Sequence, residues 1–363
     1  MLNNSFYKLK VKNKLNIAYF GGSITAGAGA DGEIYSWAYL TTEWFRTMFP
    51  NAVVNSNNAS IGGTGTIFGA YRVIEDLKLE SDACKPDLIF IEFAINDMID
   101  QTKTEKAKDY LETIIRSIYD YVADADIIIL FTTDQSQMAK KFEMRNAHQS
   151  IADTYKIPTI AVGELLINDL LAEGKGTYTQ ELWNKYFADP VHPNRNGHAK
   201  YANYITRYID SVFSSKPLIP NCTVDSYKPL CPIGDMLQNP HTVTLKGQAA
   251  PRGFTIEQNG TFVSDNGINK SFAITFKGTS LCLWIRGEEN GGILETTVDN
   301  MPADAIKLYS DPNERIRTVV TDLADDVHKI VFTLRESEKG SYMKIERFCI
   351  TGSDLKSEVC LIG

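Results

Sequence analysis

The sequence predicts a parallel α/β domain followed by a separate all-β domain. Three observations carry this reading. Through about residue 214, continuous apolar, β-branched runs alternate with stretches of helical periodicity. A proline-bearing tract, "SSKPLIPNCTVDSYKPLCP", then interrupts the pattern as a linker would. Beyond it come short alternating segments with turn signals and no helical period.

The strand runs fall at 15–20, 52–55, 87–93, 126–132 and 157–162. They are continuous rather than alternating, as strands buried on both faces are. Between them lie the helical patterns "WAYLTTEWFRTMF", "KAKDYLETIIRSIYDYV" and "KKFEMRNAHQSIADTYK", and a helix from about Asn196 to Ser214 closes the series. Strand and helix in alternation give a parallel sheet covered by helices on both sides, a three-layer domain. The second domain is read from "HTVTLKG", "SFAITFKGTSLCLWIRG", "GGILETTVDN", "HKIVFTLRE" and "MKIERFCITG", whose spacing fits a β-sandwich. The domain boundaries drawn on this basis are 1–216 and 217–363.

Composition agrees. A chain of 363 residues suits two domains, and 43% hydrophobic with 23% charged residues is globular stock. The net charge of −8 disfavours a nucleic-acid partner, and the basic cluster "KLKVKNK" is short. No apolar run resembles a signal peptide or reaches the roughly 18 residues of a membrane span, so a cytoplasmic location without membrane contact is expected. The six cysteines form no C-x-x-C and fit neither a zinc site nor a disulfide framework. Free thiols are expected, with Cys222 and Cys231 the one local pair to check.

The first strand ends in "FGGSITAGAGA". Gly27, Gly29 and Gly32 match the dinucleotide fingerprint G-x-G-x-x-G, but Gly21 to Ala26 separate that match from the strand end. The second strand, ending "VVNSNN", lacks the acidic residue the fingerprint needs, and no lysine follows as in a P-loop. Ser23 instead stands just past a parallel strand, at the carboxyl edge where open α/β sheets bind ligands. A serine hydroxyl needs a base within reach. "FADPVHPNRNGHAKYA" supplies one: Asp189 can hold one imidazole nitrogen of His192 and leave the other for Ser23. A helix beginning at the serine would favour developing negative charge. Of the five histidines, His198 falls at a helix start and reads as packing or capping; His148, His241 and His328 read as structural.

Two further loops offer oxyanion donors. "NASIGGTGT" follows the second strand and presents the bare N–H of Gly63, which also fits a tight turn of positive φ. "LIFIEFAINDM" ends the third strand and places Asn96 beyond its tip, where an amide donates without adding charge; Asn96-Asp97 also fits an Asx turn. Glu92, inside an apolar run, is expected to make a buried hydrogen bond.

Ser23, Gly63, Asn96 and His192 occur in the order and positions of the SGNH hydrolases, the GDSL-type esterases and lipases, which the chain resembles over about residues 15–213. The resemblance implies a flavodoxin-like sheet, a Ser23–His192–Asp189 triad, and an oxyanion hole from the N–H groups of Ser23 and Gly63 with the Asn96 side chain. It implies no metal or cofactor. One departure is Gly22, where the family pattern has aspartate. The stretches "GGSITAGAGA", "IGGTGT", "GAYR" and "EFAIND", with a β domain after them, are similar to two-domain bacterial carbohydrate acetylesterases, mannan acetylesterases among them. That likeness implies a carbohydrate-binding, jelly-roll-like sandwich and removal of O-acetyl groups from acetylated oligosaccharides, manno-oligosaccharides first. A lipid or aryl esterase with the same triad, and a non-catalytic sugar-binding protein, are the competing classes. Tyr35, Trp37 and Trp284 are the candidate rings for stacking on a sugar, although Trp37 shares a core-like helical stripe with Trp44. The sequence is compatible with a homo-oligomer and fixes no oligomeric state.

Overall fold

Strand β1 (Lys14–Gly21) is buried at every position after Lys14, because it lies inside a sheet covered on both faces. The structure, a computed structural model, describes residues 2–136, 142–215, 237–264, 270–285, 289–309, 316–354 and 357–362. Beside β1 run β2 (Val53–Asn58) and β3 (Leu88–Glu92), then β4 (Asp126–Leu130) and β5 (Thr159–Ile160). The order β2-β1-β3-β4-β5, parallel throughout, is the flavodoxin-like order. The fifth strand is two residues long, where the sequence suggested six.

Helix α1 (Asn3–Tyr7) precedes β1. Helices α2 (Ser23–Ala26) and α3 (Trp37–Met48) lead from β1 to β2, and α4 (Thr66–Asp76) leads to β3. Helices α5 (Ala94–Ile99) and α6 (Thr104–Tyr121) lead to β4, and α7 (Glu143–Tyr155) precedes β5. Helices α8 (Val162–Glu173), α9 (Gln180–Tyr186) and α10 (Arg195–Ser214) follow. One sheet face carries Leu15, Ile17, Tyr19, Leu88, Phe90, Ile128 and Leu130 into a core with Trp37 and Phe45 of α3 and Tyr201 and Ile205 of α10. The intervening positions Ile89, Ile91, Ile127 and Ile129 are buried as well, on the opposite face. Each such side chain contributes about 1.5–3 kcal/mol on burial.

From residue 237 the chain is antiparallel. Its strands are β6 (His241–Val243), β7 (Phe254–Ile256), β8 (Phe262–Ser264), β9 (Lys270–Gly278), β10 (Ser280–Ile285) and β11 (Ile293–Val298). They continue with β12 (Met301–Lys307), β13 (Ile316–Val320), β14 (Asp326–Arg335), β15 (Met343–Thr351) and β16 (Val359–Ile362). One sheet runs β13-β10-β15-β8-β7, with β6 on β15; the other runs β12-β11-β14-β9-β16. Phe272, Ile274, Ile330 and Phe332 of the second sheet share a core with Leu281, Leu283, Ile345 and Ile350 of the first, so the unit is a β-sandwich. The single run "SFAITFKGTSLCLWIRG" divides at Gly278-Thr279, and its halves β9 and β10 belong to different sheets.

Two compact units result. The first holds the described residues up to 215 save Ala70–Arg72, and the second holds those three with residues from 237. The expected linker from 216 onward and the pair Cys222 and Cys231 lie outside the described residues. Among the described cysteines, Cys84, Cys282, Cys349 and Cys360 are free. No helix of the described residues is long and apolar enough to cross a membrane.

Candidate active site

The connections leaving β1 and β3 run to opposite sides of the sheet, and the crevice between these two strands is where such sheets bind ligands. Ser23 leaves the end of β1 and Asn96 the end of β3. Ser23 opens α2, a single turn that ends at Gly27. So short a helix adds little dipole, and the expected support of a helix N-terminus for negative charge is correspondingly small. The half-buried serine places its Oγ 2.8 Å from Nε2 of His192.

His192 and Asp189 share the loop between α9 and α10. Nδ1 of His192 lies 2.7 Å from Oδ2 of Asp189, while Oδ1 accepts from the backbone N–H groups of His192 at 2.8 Å and Val191 at 2.7 Å. A carboxylate only accepts, so Nδ1 carries the proton and Nε2 is left to accept from the serine hydroxyl. Burial works against the charge on Asp189, but these hydrogen bonds outweigh it and hold the carboxyl below its usual range.

The loop itself is fastened by backbone. Ala188 N–H donates to His192 O at 2.9 Å, Gln135 N–H to Pro190 O at 2.7 Å, and Asn194 N–H to Tyr186 O at 2.9 Å. The indole of Trp183 donates to Asp189 O at 3.0 Å and stacks on Phe187 with ring centroids 3.7 Å apart. Across from it, Gly29 approaches so closely that a Cβ there would stand 2.3 Å from Pro193 O. Of the three glycines that matched the dinucleotide fingerprint, Gly29 therefore makes room for the segment carrying His192.

His198 holds the same region from behind. It is buried, its Nε2 donates to Ala28 O at 3.0 Å, and its Nδ1 accepts from Trp37 N–H, the first residue of α3, at 3.3 Å. Burial lowers its pKa to about 4, so the imidazole is neutral. It is a cap and a tie, in keeping with its position at a helix start.

Gly63 has φ 67°, the positive value its loop requires. Its neighbour Gly62 passes beside the serine, where a Cβ would sit 3.5 Å from Ser23 Cβ. Asn96 is 9% exposed, and its side-chain amide makes no hydrogen bond among the described residues. A Cβ on Gly22 would fall 1.9 Å from Asn96 Oδ1. Glu92 is buried and accepts from Thr25 Oγ1 and Thr132 Oγ1, each at 2.8 Å; burial raises its pKa against those bonds. It anchors α2, which carries Ser23, to the end of β4.

The sugar-stacking candidates separate. Tyr35 is half-buried beside this loop, with the Arg195 guanidinium 3.5 Å over its ring. Trp37 is fully buried, edge-on to Tyr19 and Phe90, and belongs to the core. Trp284 is 3% exposed and donates from its indole to Glu346 Oε2 at 2.9 Å. It offers no open face, because β10 is buried at every position rather than at alternate ones.

Sequence reasoning missed one buried cluster. Asp97 joins Thr66 of α4 to His148 of α7, and all three are buried. An acid next to Asn96 was the only local signal, and its partner His148 lies 51 residues away.

Comparison with curated protein sequences gives no match. Among solved structures, the chain is similar to a two-domain esterase (CEX) active on acetylated mannans, co-crystallized with mannopentaose, at 20% identity and TM-score 0.79 over 97% of this chain and 95% of that one. A second structure of a two-domain esterase (CEX) active on acetylated mannans matches at 21% identity and TM-score 0.76, over 98% of this chain and 96% of that one. The two-domain fold is thus shared along essentially the whole chain. Residues 19–200, which carry Ser23, Gly63, Asn96, Asp189 and His192, match the GDSL-like Lipase/Acylhydrolase family, and the chain belongs to that family.

Proposed function

We propose that the protein is a serine esterase that removes O-acetyl groups from acetylated oligosaccharides, manno-oligosaccharides first. The observation that carries the reading is the hydrogen-bonded series Ser23 Oγ, His192 Nε2, His192 Nδ1, Asp189 Oδ2 at the carboxyl edge of the sheet. In the proposed reaction His192 takes the Ser23 proton as Oγ attacks the acetyl carbonyl. The Asp189 carboxylate stabilises the imidazolium. The N–H groups of Ser23 and Gly63 and the Asn96 amide receive the oxyanion. As the intermediate collapses, His192 returns the proton to the departing sugar hydroxyl. A water then attacks the acetyl-enzyme by the same route in reverse roles and releases acetate.

The uncommitted amide of Asn96 supports its role as donor, since no other described group competes for it. The choice of sugar substrate draws on the likeness to the two-domain esterase active on acetylated mannans. In this reading residues 1–216 are the catalytic domain and 217–363 a carbohydrate-binding-like sandwich. Incubation with acetylated manno-, xylo- and cello-oligosaccharides, read by mass spectrometry and positional NMR, tests it. Loss of acetyl groups from the manno series first is expected. Preference for long-chain acyl or aryl esters would replace the sugar substrate with a lipid or aryl one, and no release of acetate at all would leave a binding protein.

A further inference from the structure

Asp97 follows Asn96 directly and is fully buried. Its Oδ1 accepts from Thr66 N–H at 2.7 Å, and its Oδ2 accepts from Thr66 Oγ1 at 2.8 Å. Thr66 opens α4 and ends the loop that holds Gly63. The carboxylate also lies against the backbone of that loop, where a Cβ on Gly65 would stand 2.2 Å from Oδ1. One side chain thus spans from α5, which carries the Asn96 amide, to the loop of the Gly63 N–H.

A third partner fixes the carboxylate. His148 Nε2 lies 2.9 Å from Asp97 Oδ2, and the histidine is fully buried. Because the carboxylate only accepts, Nε2 carries the proton. The histidine's other ring nitrogen, Nδ1, has no partner among the described residues. A buried polar atom without a partner costs stability. Packing alone would be served better by an apolar side chain, so what the imidazole contributes is its hydrogen bond to Asp97.

We propose that Asp97, oriented by His148, is a positioning residue that sets the spacing between the Gly63 and Asn96 oxyanion donors. The inference rests on the reading of those two groups as the oxyanion hole. Such donors act only when aimed where the charge develops, so small displacements of α5 or of the Gly63 loop reduce turnover more than binding.

The test uses the full chain with p-nitrophenyl acetate and the variants His148→Leu, His148→Gln and Asp97→Asn. Active sites are counted by endpoint labelling with a serine-directed phosphonate, and melting temperature is recorded separately. His148→Leu is expected to lower kcat per active site about tenfold to a hundredfold with KM little changed. Affinity for a boronic acid that mimics the tetrahedral intermediate should fall in parallel, while affinity for acetate holds. His148→Gln, whose amide can donate to Asp97, should recover most of the loss. Asp97→Asn, which turns a donor toward His148, should lower kcat even if His148→Leu fails to fold. Variants that melt lower yet keep kcat per site within about twofold of wild type would overturn the proposal. An inactive wild type, or full activity in Ser23→Ala, would instead overturn the esterase reading and this inference with it.

Discussion

Gly22 and Asn96 occupy adjoining space: a Cβ on residue 22 would lie 1.9 Å from Oδ1 and 2.9 Å from Cγ of the amide. Residue 22 is glycine where the family pattern has aspartate, and the Asn96 side chain lies where a side chain on residue 22 would begin. Gly22→Ala and Gly22→Asp should therefore displace Asn96 and lower kcat about tenfold to a thousandfold, with KM changed far less. On an Asn96→Ala background the same Gly22→Ala change should add little, because the obstructing atoms are gone. Steady-state kinetics of the single and double variants check this, and additive losses would show that the contact is not the cause.

Ser23→Ala and His192→Ala should each reduce turnover by about 10⁴-fold or more while leaving the melting temperature unchanged. Asp189→Asn should cost on the order of 10²–10⁴-fold, because an amide that donates to Nδ1 favours the wrong imidazole tautomer. Combining the three should cost hardly more than the worst single change. Acetate release under substrate saturation measures all of them.

Stability of the first unit should fall in acid through His198. Its pKa is lowered from 6.5 to about 4 in the folded chain, so below pH 6.5 the unfolded chain binds the proton first. The contribution is complete above pH 6.5 and is lost as pH falls toward 4, by roughly 3 kcal/mol. Glu92, with its raised pKa, acts in the opposite sense. The difference between wild type and His198→Gln in urea unfolding, from pH 7 to 4, isolates the histidine. Curves with the same pH slope would refute the assignment.

The second unit should respond in the other direction. His328 lies in β14, where its Nδ1 is 2.7 Å from Asp299 Oδ2 and its Nε2 is 2.7 Å from Ala324 O. Burial opposes its charge, but the Ala324 carbonyl and the Asp299 carboxylate prevail and raise the pKa. Stability from this pair is complete below the ordinary histidine value of about 6.5 and is lost as pH rises through the higher folded value. The melting-temperature advantage of wild type over His328→Gln should be fullest at about pH 5.5 and shrink toward about pH 9, and thermal melts of both proteins across that range check it.

Much of this was legible in the sequence for a physical reason. Strands β1, β3 and β4 are buried on both faces, so their residues are apolar nearly throughout, with Asn16 the one polar residue inside a strand. Ser23 and Asn96 past the strand ends, and Asp189 with His192 in the loop before α10, were legible as candidates because these residue types and that spacing are chemically distinctive. Apart from Glu92, the sequence did not show which polar groups are buried together. Asp97 reads as part of a turn and His148 as a structural helix residue, and nothing pairs them until the fold brings them together. Trp284 was misjudged for a related reason: alternation of types along β10 is not alternation of exposure. The β9–β10 corner was invisible because side chains keep a period of two while the chain changes sheets.

The bond between Ser23 and His192 joins residues 169 apart, whereas Asp189 and His192 are three apart in one loop. The acid and base can meet as soon as that loop turns. The nucleophile can join them only after the sheet has gathered β1 and α10 has docked on α3. Contacts of such separation carry a loop-closure cost and form late. During refolding, serine reactivity toward a phosphonate should therefore appear after most of the helical circular dichroism. It would serve as a chemical clock for the last long-range step of folding.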